Sequence, residues 1–156
     1  MTAAAWRTRC AGVIAGLGLI VASVGCGHIV ILHDPLGAAE HNDLGVAYER
    51  RGEWRLAERE YRRALRIDPD FARARLNLGN VAAHHERWTE AERHYRRALA
   101  GLPEEPDAWN NLAMALMHRG RLAEAESAAV RAVALSAGSD SLYRATLGEV
   151  RAARLK

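Results

Sequence analysis

The chain has 156 residues, of which 49% are hydrophobic and 26% charged, enough apolar material to bury a core and too much for global disorder. Aromatics are 6% with a single Phe, and β-branched runs are confined to the first 32 residues, which argues against an all-β fold. The formal charge of +3 comes from 22 basic and 19 acidic residues, and two of the basic ones, Arg7 and Arg9, sit in an acid-free N-terminus, so the rest is a near-neutral body of interspersed signs and a poor nucleic-acid surface.

The first 25 residues read as an export segment. Arg7 and Arg9 precede AGVIAGLGLIVASV, an uncharged run from Ala11 to Val24, and a basic region followed by an apolar stretch of this length fits a secretory signal. Counted on to Leu32, the run is long enough to span a bilayer. Gly12, Gly16, Gly18, Gly25, Gly27 and His28 lower its quality as a permanent anchor. The tetrapeptide Ser23-Val24-Gly25-Cys26 resembles the lipobox of bacterial lipoproteins, with Ser23 where leucine is more usual. That resemblance implies that residues 1–25 are a signal peptide and that Cys26 becomes the lipidated first residue of the mature protein. Gly27 stands where inner-membrane retention signals place Asp, so the resemblance points to the outer membrane, with the domain facing the periplasm. An uncleaved signal-anchor helix and plain secretion are the alternative readings. Cys10 and Cys26 are the only cysteines, which leaves the body without a disulfide or a cysteine metal site.

Residues 26–37 form an anchor or linker segment. Ile29–Leu32 are too few and too apolar for a flexible linker and are expected to pack along the first helix pair. Asp34-Pro35 reads as a helix start, with Asp as N-cap and Pro in the first turn.

From residue 38 the chain repeats with a period of 34. Leu44-Gly45, Leu78-Gly79 and Leu112-Ala113 hold that spacing, as do Ala57, Ala91 and Ala125, and Ala64, Ala98 and Ala132. Tyr61 and Tyr95 are followed by Ala129, and Pro69 and Pro103 by Ala137. Within each copy the apolar residues recur at helical spacing (Leu44, Ala47, Tyr48, then Leu56, Ala57, Tyr61, Ala64, Leu65). Glycine at 45 and 79 lets helices approach closely, Gly52 and Gly120 suit left-handed helix ends, and Pro69 and Pro103 stop the second helix. The pattern resembles the tetratricopeptide repeat. The resemblance implies an all-α fold, an α-solenoid of three helix-turn-helix repeats over 38–71, 72–105 and 106–139. Copy two departs with Ala82 in the tyrosine column and Glu86 in the glycine column; copy three loses the second tyrosine and the proline. Residues 140–156 then read as a capping helix, opened by Ser139, whose Leu147-Gly148 lies 35 beyond Leu112-Ala113.

In this repeat class the first helix of each pair lines a concave groove, and a protein or peptide is the implied ligand. The inward positions are Asn42, Asp43, Val46, Glu49 and Arg50; Arg73, Asn77, Asn80 and His84; and Asn110, Asn111, Met114, Met117 and His118. Of these, Asn42, Asp43, Asn77, Asn80, Asn111 and Met114 are the candidate peptide contacts. Asparagine offers both a donor and an acceptor to an extended backbone, and Met114 a soft apolar contact. Hydrogen bonding to neighbouring helices is the other reading of the asparagines, as core packing is of the methionines. Asp107 falls where the carboxylate-clamp version of the fold needs a basic residue, which makes a C-terminal carboxylate a poor ligand. Trp54 and Trp88, in one column, are expected to pack between helix pairs. No HExxH, GxSxG, Walker or GxGxxG pattern is present. The expectation is a non-catalytic, membrane-anchored scaffold without cofactor, metal, nucleic acid or small-molecule substrate. A pilotin-like assembly factor for an outer-membrane secretion or pilus complex and an inner-membrane signal-anchored subunit are the alternatives.

Overall fold

The computed structural model describes residues 20–24, 28–32, 34–136 and 141–156. The chain divides into two compact units, one ending at Pro35 and one running from Leu36 to Lys156. In the first, β1 (Ile20–Val24) pairs antiparallel with β2 (His28–Leu32), in a register that sets Ile20 opposite Leu32 and Ala22 opposite Val30. Both strands are rich in valine and isoleucine, which suits a pleated surface. This hairpin takes in Ile29–Leu32, which the sequence reading laid along the first helix pair. Cys10, Cys26 and Ser139 lie outside the described residues.

The second unit is all-α. Its helices are α1 (Ala38–Arg50), α2 (Trp54–Ile67), α3 (Ala72–His84), α4 (Trp88–Gly101), α5 (Pro106–His118), α6 (Leu122–Leu135) and α7 (Ser141–Arg154). The expected start at Asp34-Pro35 is corrected: α1 begins at Ala38, where Gly37 is the N-cap and its carbonyl accepts the His41 N–H at 3.1 Å. Beginning there gives α1 the same 13-residue length as α3 and α5 and keeps all three in one register. Each first helix packs on its own second helix, and each second helix on the next pair. Beyond those neighbours α1 also touches α3, and α3 touches α5, whereas α2 and α4, or α4 and α6, do not meet. The array therefore curves toward its first helices, leaving them on the concave side and the second helices splayed on the convex one.

The repeated columns are the packing positions. Ala57, Ala64, Ala91, Ala98, Ala125 and Ala132 are all fully buried, as is Tyr61, and Tyr95 nearly so. A Cβ built on Gly45 would stand 2.6 Å from Tyr61 Cδ1, and one on Gly79 2.5 Å from Tyr95 Cδ1, closer than real Cβ contacts come. The two tyrosines thus lie flat against bare backbone. In the third repeat Ala129 replaces the ring and Ala113 replaces the glycine, both fully buried. Side-chain volume is exchanged across the seam and the close packing is kept.

Gly52 (φ 74°) and Gly120 (φ 73°) carry the left-handed turn between helices of a pair. Glu86, in the same column, adopts φ 57° despite its Cβ, a strained conformation that costs about 1–2 kcal/mol. Glu86→Gly is therefore expected to raise unfolding stability by about 1 kcal/mol, less whatever glycine adds to the entropy of the unfolded chain. A higher urea midpoint at unchanged slope is the check.

One polar cluster is buried in the first repeat. His41 Nδ1 lies 2.9 Å from Glu60 Oε2, both side chains about 1% exposed, and Arg59 and Arg63 reach the same carboxylate at 3.1 and 3.2 Å. Burial pushes the Glu60 carboxyl up, but the hydrogen bonds from His41, Arg59 and Arg63 outweigh it and hold the group below its ordinary value. A depressed folded-state pKa gives stability that is present above the unfolded carboxylate value and lost as pH falls through the folded one. Acidification from pH 6 toward 3 is expected to destabilise the wild type more than Glu60→Gln, and parallel pH profiles for the two proteins would disprove the assignment. At neutral pH the substitution itself removes about 1–3 kcal/mol.

Candidate functional site

The concave layer is floored by asparagines that bridge consecutive first helices. Asn77 Nδ2 on α3 donates to Asn42 Oδ1 on α1 at 2.9 Å, and Asn111 Nδ2 on α5 donates to Asn80 Oδ1 on α3 at 3.0 Å. Asn42 in turn donates to Asp43 Oδ1 at 3.3 Å, and the Tyr95 hydroxyl donates to Asn80 Oδ1 at 3.1 Å. The structure thus brings Asn42, Asp43, Asn77, Asn80 and Asn111 into two hydrogen-bonded groups. Asn77 and Asn111, equivalent in the repeat, both spend an amide N–H on a neighbour. Their carbonyl oxygens accept nothing among the described residues. Asn110 is buried, and its Oδ1 has no partner either.

The other groove candidates separate. Met114 is half-buried on the α5 surface, whereas Met117 packs against the apolar core and Val46 against that of the first repeat. Glu49 accepts the Tyr61 hydroxyl at 2.6 Å, and Arg50 and Arg73 are exposed. Burial, with Glu49 beside it, pushes the Tyr61 phenol far up, so it stays a neutral donor. His84 and His118 are not free groove residues. Each stacks on the tryptophan that opens the preceding second helix, His84 on Trp54 at 3.8 Å between ring centroids and His118 on Trp88 at 3.9 Å. The tryptophans do bridge successive pairs, and they take the histidines at the ends of α3 and α5 with them. Asp107 accepts the Tyr143 hydroxyl at 2.7 Å, so α7 occupies the carboxylate that departs from the clamp pattern.

A second periodic set is ionic, and the sequence reading missed it. Glu58, Glu92 and Glu126 are 34 apart, and each meets arginine from the next unit: Arg87 at 3.4 Å, Arg121 at 2.5 Å, and Arg151 and Arg154 at 2.9 and 2.5 Å. Buried Glu92 is also bound by Arg96 and Arg119. The hydrogen bonds from Arg151 and Arg154 hold the Glu126 carboxyl below its ordinary value. The 34-residue spacing of Arg87 and Arg121 was the available signal. Another echo is the carbonyl of Pro69, which accepts from Arg75, and that of Pro103, which accepts from Trp109 Nε1 at 2.9 Å.

Glu90 and His94 make an i,i+4 pair at 3.6 Å. Burial lowers the His94 pKa, Arg93 and Arg75 add to it, and the imidazole is neutral near pH 7 despite Glu90. Among the described residues no group of three or more His, Cys, Asp or Glu is placed to hold a metal ion. No helix among them is long and apolar enough to cross a membrane.

Solved structures share this architecture. The chain superposes on the first TPR domain of Spaghetti (RPAP3) bound to the HSP90 peptide SRMEEVD with a TM-score of 0.73 and 18% identity, covering 76% of this chain and 94% of that one. The Sgt2 TPR domain from Aspergillus fumigatus gives 0.68 at 19% identity, over 73% and 76% of the two chains. The second TPR domain of human RPAP3, in complex with the HSP70 peptide SGPTIEEVD, gives 0.68 at 19%, over 73% and 94%. At these identities the likeness establishes the fold. No curated protein sequence matches the chain. The tetratricopeptide repeat model, however, matches residues 42–106 and 85–140, together more than half of the sequence. With its 34-residue columns, seven-helix array and concave first-helix layer, this chain belongs to the tetratricopeptide repeat family.

Proposed function

We propose that the protein is a non-catalytic, membrane-anchored scaffold that holds an extended segment of a partner protein across α1, α3 and α5. The observation that carries this reading is the pair of unspent acceptors on the concave floor, the carbonyl oxygens of the repeat-equivalent Asn77 and Asn111, whose amides are already held by lateral bonds. Both side chains are only part-buried, so the backbone N–H groups of an extended chain can reach their free oxygens. The lateral bonds fix the amides before any ligand arrives, so little ordering is lost on the protein side. Two structural neighbours are complexes with peptides, which supports the same class of ligand. Asp107 makes an internal segment a better fit than a C-terminal carboxylate.

The anchor in this proposal is lipid on Cys26, with residues 1–25 removed and the repeats facing the periplasm from the outer membrane. Its support is the Ser23–Cys26 tetrapeptide behind an uncharged run; two or more acyl chains give stable attachment.

Crosslinking pulldown from the native membrane tests the groove. Asn77→Ala/Asn111→Ala is expected to reduce partner recovery about tenfold or more, the equivalent of roughly 1.4 kcal/mol, with helicity retained. An unchanged partner set would dismiss the asparagine floor. Intact mass of the membrane-extracted protein reads the anchor separately: a full-length, unmodified chain would refute lipidation.

A further inference from the structure

Where the second helices splay apart, a cleft of about 1110 Å³ opens on the convex side. It is lined by α4 from Trp88 to Arg97 and by the turns before α4 and α6, and six of its eleven lining residues are arginines against three glutamates. Four of the arginines are committed to carboxylates and two are not; Arg87 pairs with Glu58 and Glu90. Arg96, Arg119 and Arg121 converge on the buried Glu92 carboxylate, and Arg96 and Arg121 also hold Glu124. Arg93 and Arg97, on the exposed surface of α4, have no ion pair or hydrogen bond among the described residues. One wall is the Trp88 indole, set in place by its stack on His118.

The cleft therefore combines preset geometry with unspent charge. Three guanidinium groups share one carboxylate, which fixes their planes but leaves donors over, since each carries five N–H groups. Two further guanidinium groups are unclaimed. We propose that this cleft is a second binding site, for a carboxylate-rich peptide segment of a partner protein, with Arg93 and Arg97 as its anchors. Guanidinium forks pair bidentately with carboxylates, as Arg121 already does with Glu124 through Nε and Nη2. The near-neutral body disfavours a polyphosphate backbone. The site is independent of the asparagine floor, being built from α4 and its flanking turns.

The test is fluorescence anisotropy of a labelled oligoglutamate peptide against the full chain. Saturable binding that weakens with salt is expected, falling about tenfold or more in Arg93→Gln/Arg97→Gln. Neither side chain takes part in a fold-stabilising ion pair, so this variant keeps its structure. Arg131→Gln/Arg144→Gln, an equal charge change at exposed positions elsewhere, is expected to bind as wild type does, and so is Asn77→Ala/Asn111→Ala. Equal losses in both arginine variants would reduce the effect to diffuse charge and overturn the proposal. So would the absence of saturable binding, or binding to phosphatidylglycerol vesicles that depends on Arg93 and Arg97 while the peptide does not bind.

Discussion

Tyr95→Ala is expected to destabilise the protein by about 3–5 kcal/mol, as deletion of a buried aromatic ring does, and Gly79→Ala by about 1–3 kcal/mol through overpacking. The informative quantity is their combination. Gly79 exists because the Tyr95 ring fills the space its side chain would take, so once the ring is gone the added methyl meets no clash. The double variant reproduces what the third repeat has at Ala113 and Ala129. Its loss should fall short of the sum of the single losses by about 1–2 kcal/mol, the coupling expected of residues in direct contact. The shortfall is not the whole Tyr95 cost, because the hydroxyl's bond to Asn80 at 3.1 Å goes with the ring. Urea titrations of the four proteins measure it, and strict additivity would contradict the complementarity.

The second large effect is expected at the C-terminal end. A helix pair has two faces to cover, and stacking covers only the inner ones. On α7, Val150 is fully buried and Tyr143 and Thr146 nearly so, against a core that contains Leu116, Ala125, Ala128 and Ala129. Val150 alone represents about 1.5–3 kcal/mol of apolar burial, and Tyr143 adds its ring and the bond to Asp107. Ending the chain after residue 139 is expected to cost about 4 kcal/mol or more and to leave an apolar end that self-associates. Val150→Asp keeps the chain length and buries a charge in the same place, and should show the same loss. Light scattering and thermal unfolding report both. A truncated protein that stays monomeric with an unchanged midpoint would remove α7 from its capping role.

The sequence was legible wherever one residue column has one packing job. Gly45 and Gly79, Ala57 and Ala91, Tyr61 and Tyr95 recur at 34 residues because each helix seam admits one side-chain size at one point. The left-handed turns at Gly52 and Gly120 were legible for the same kind of reason, since backbone sterics select glycine there. The concave site was only half legible. The positions of Asn42, Asn77, Asn80 and Asn111 follow from the repeat, but their pairing does not, because Asn77 bonds a residue in one column of the preceding helix and Asn111 a residue in another. His84 and His118 read as groove positions by register alone; that each lies 30 residues after a tryptophan was the overlooked sign of stacking. Charge was hardest to read. Glu58, Glu92 and Glu126 are as periodic as the alanines, yet surface charges recur in helices for solubility, so period alone does not distinguish a solvated face from an ion pair between units. The strand pair β1 and β2 escaped because a short apolar run of valine and isoleucine serves equally as a strand, a membrane span or a signal segment.

The central claim, that a partner segment lies along the first-helix layer, is tested most directly by placing a photocrosslinking amino acid at Met114, on the α5 surface, and in a parallel protein at Ser127, exposed on α6. Irradiated in native membranes, the Met114 protein is expected to yield a discrete adduct that Asn77→Ala/Asn111→Ala abolishes, and the Ser127 protein no such adduct. An adduct at Ser127 with none at Met114, or one at Met114 that survives loss of both asparagines, would contradict the account.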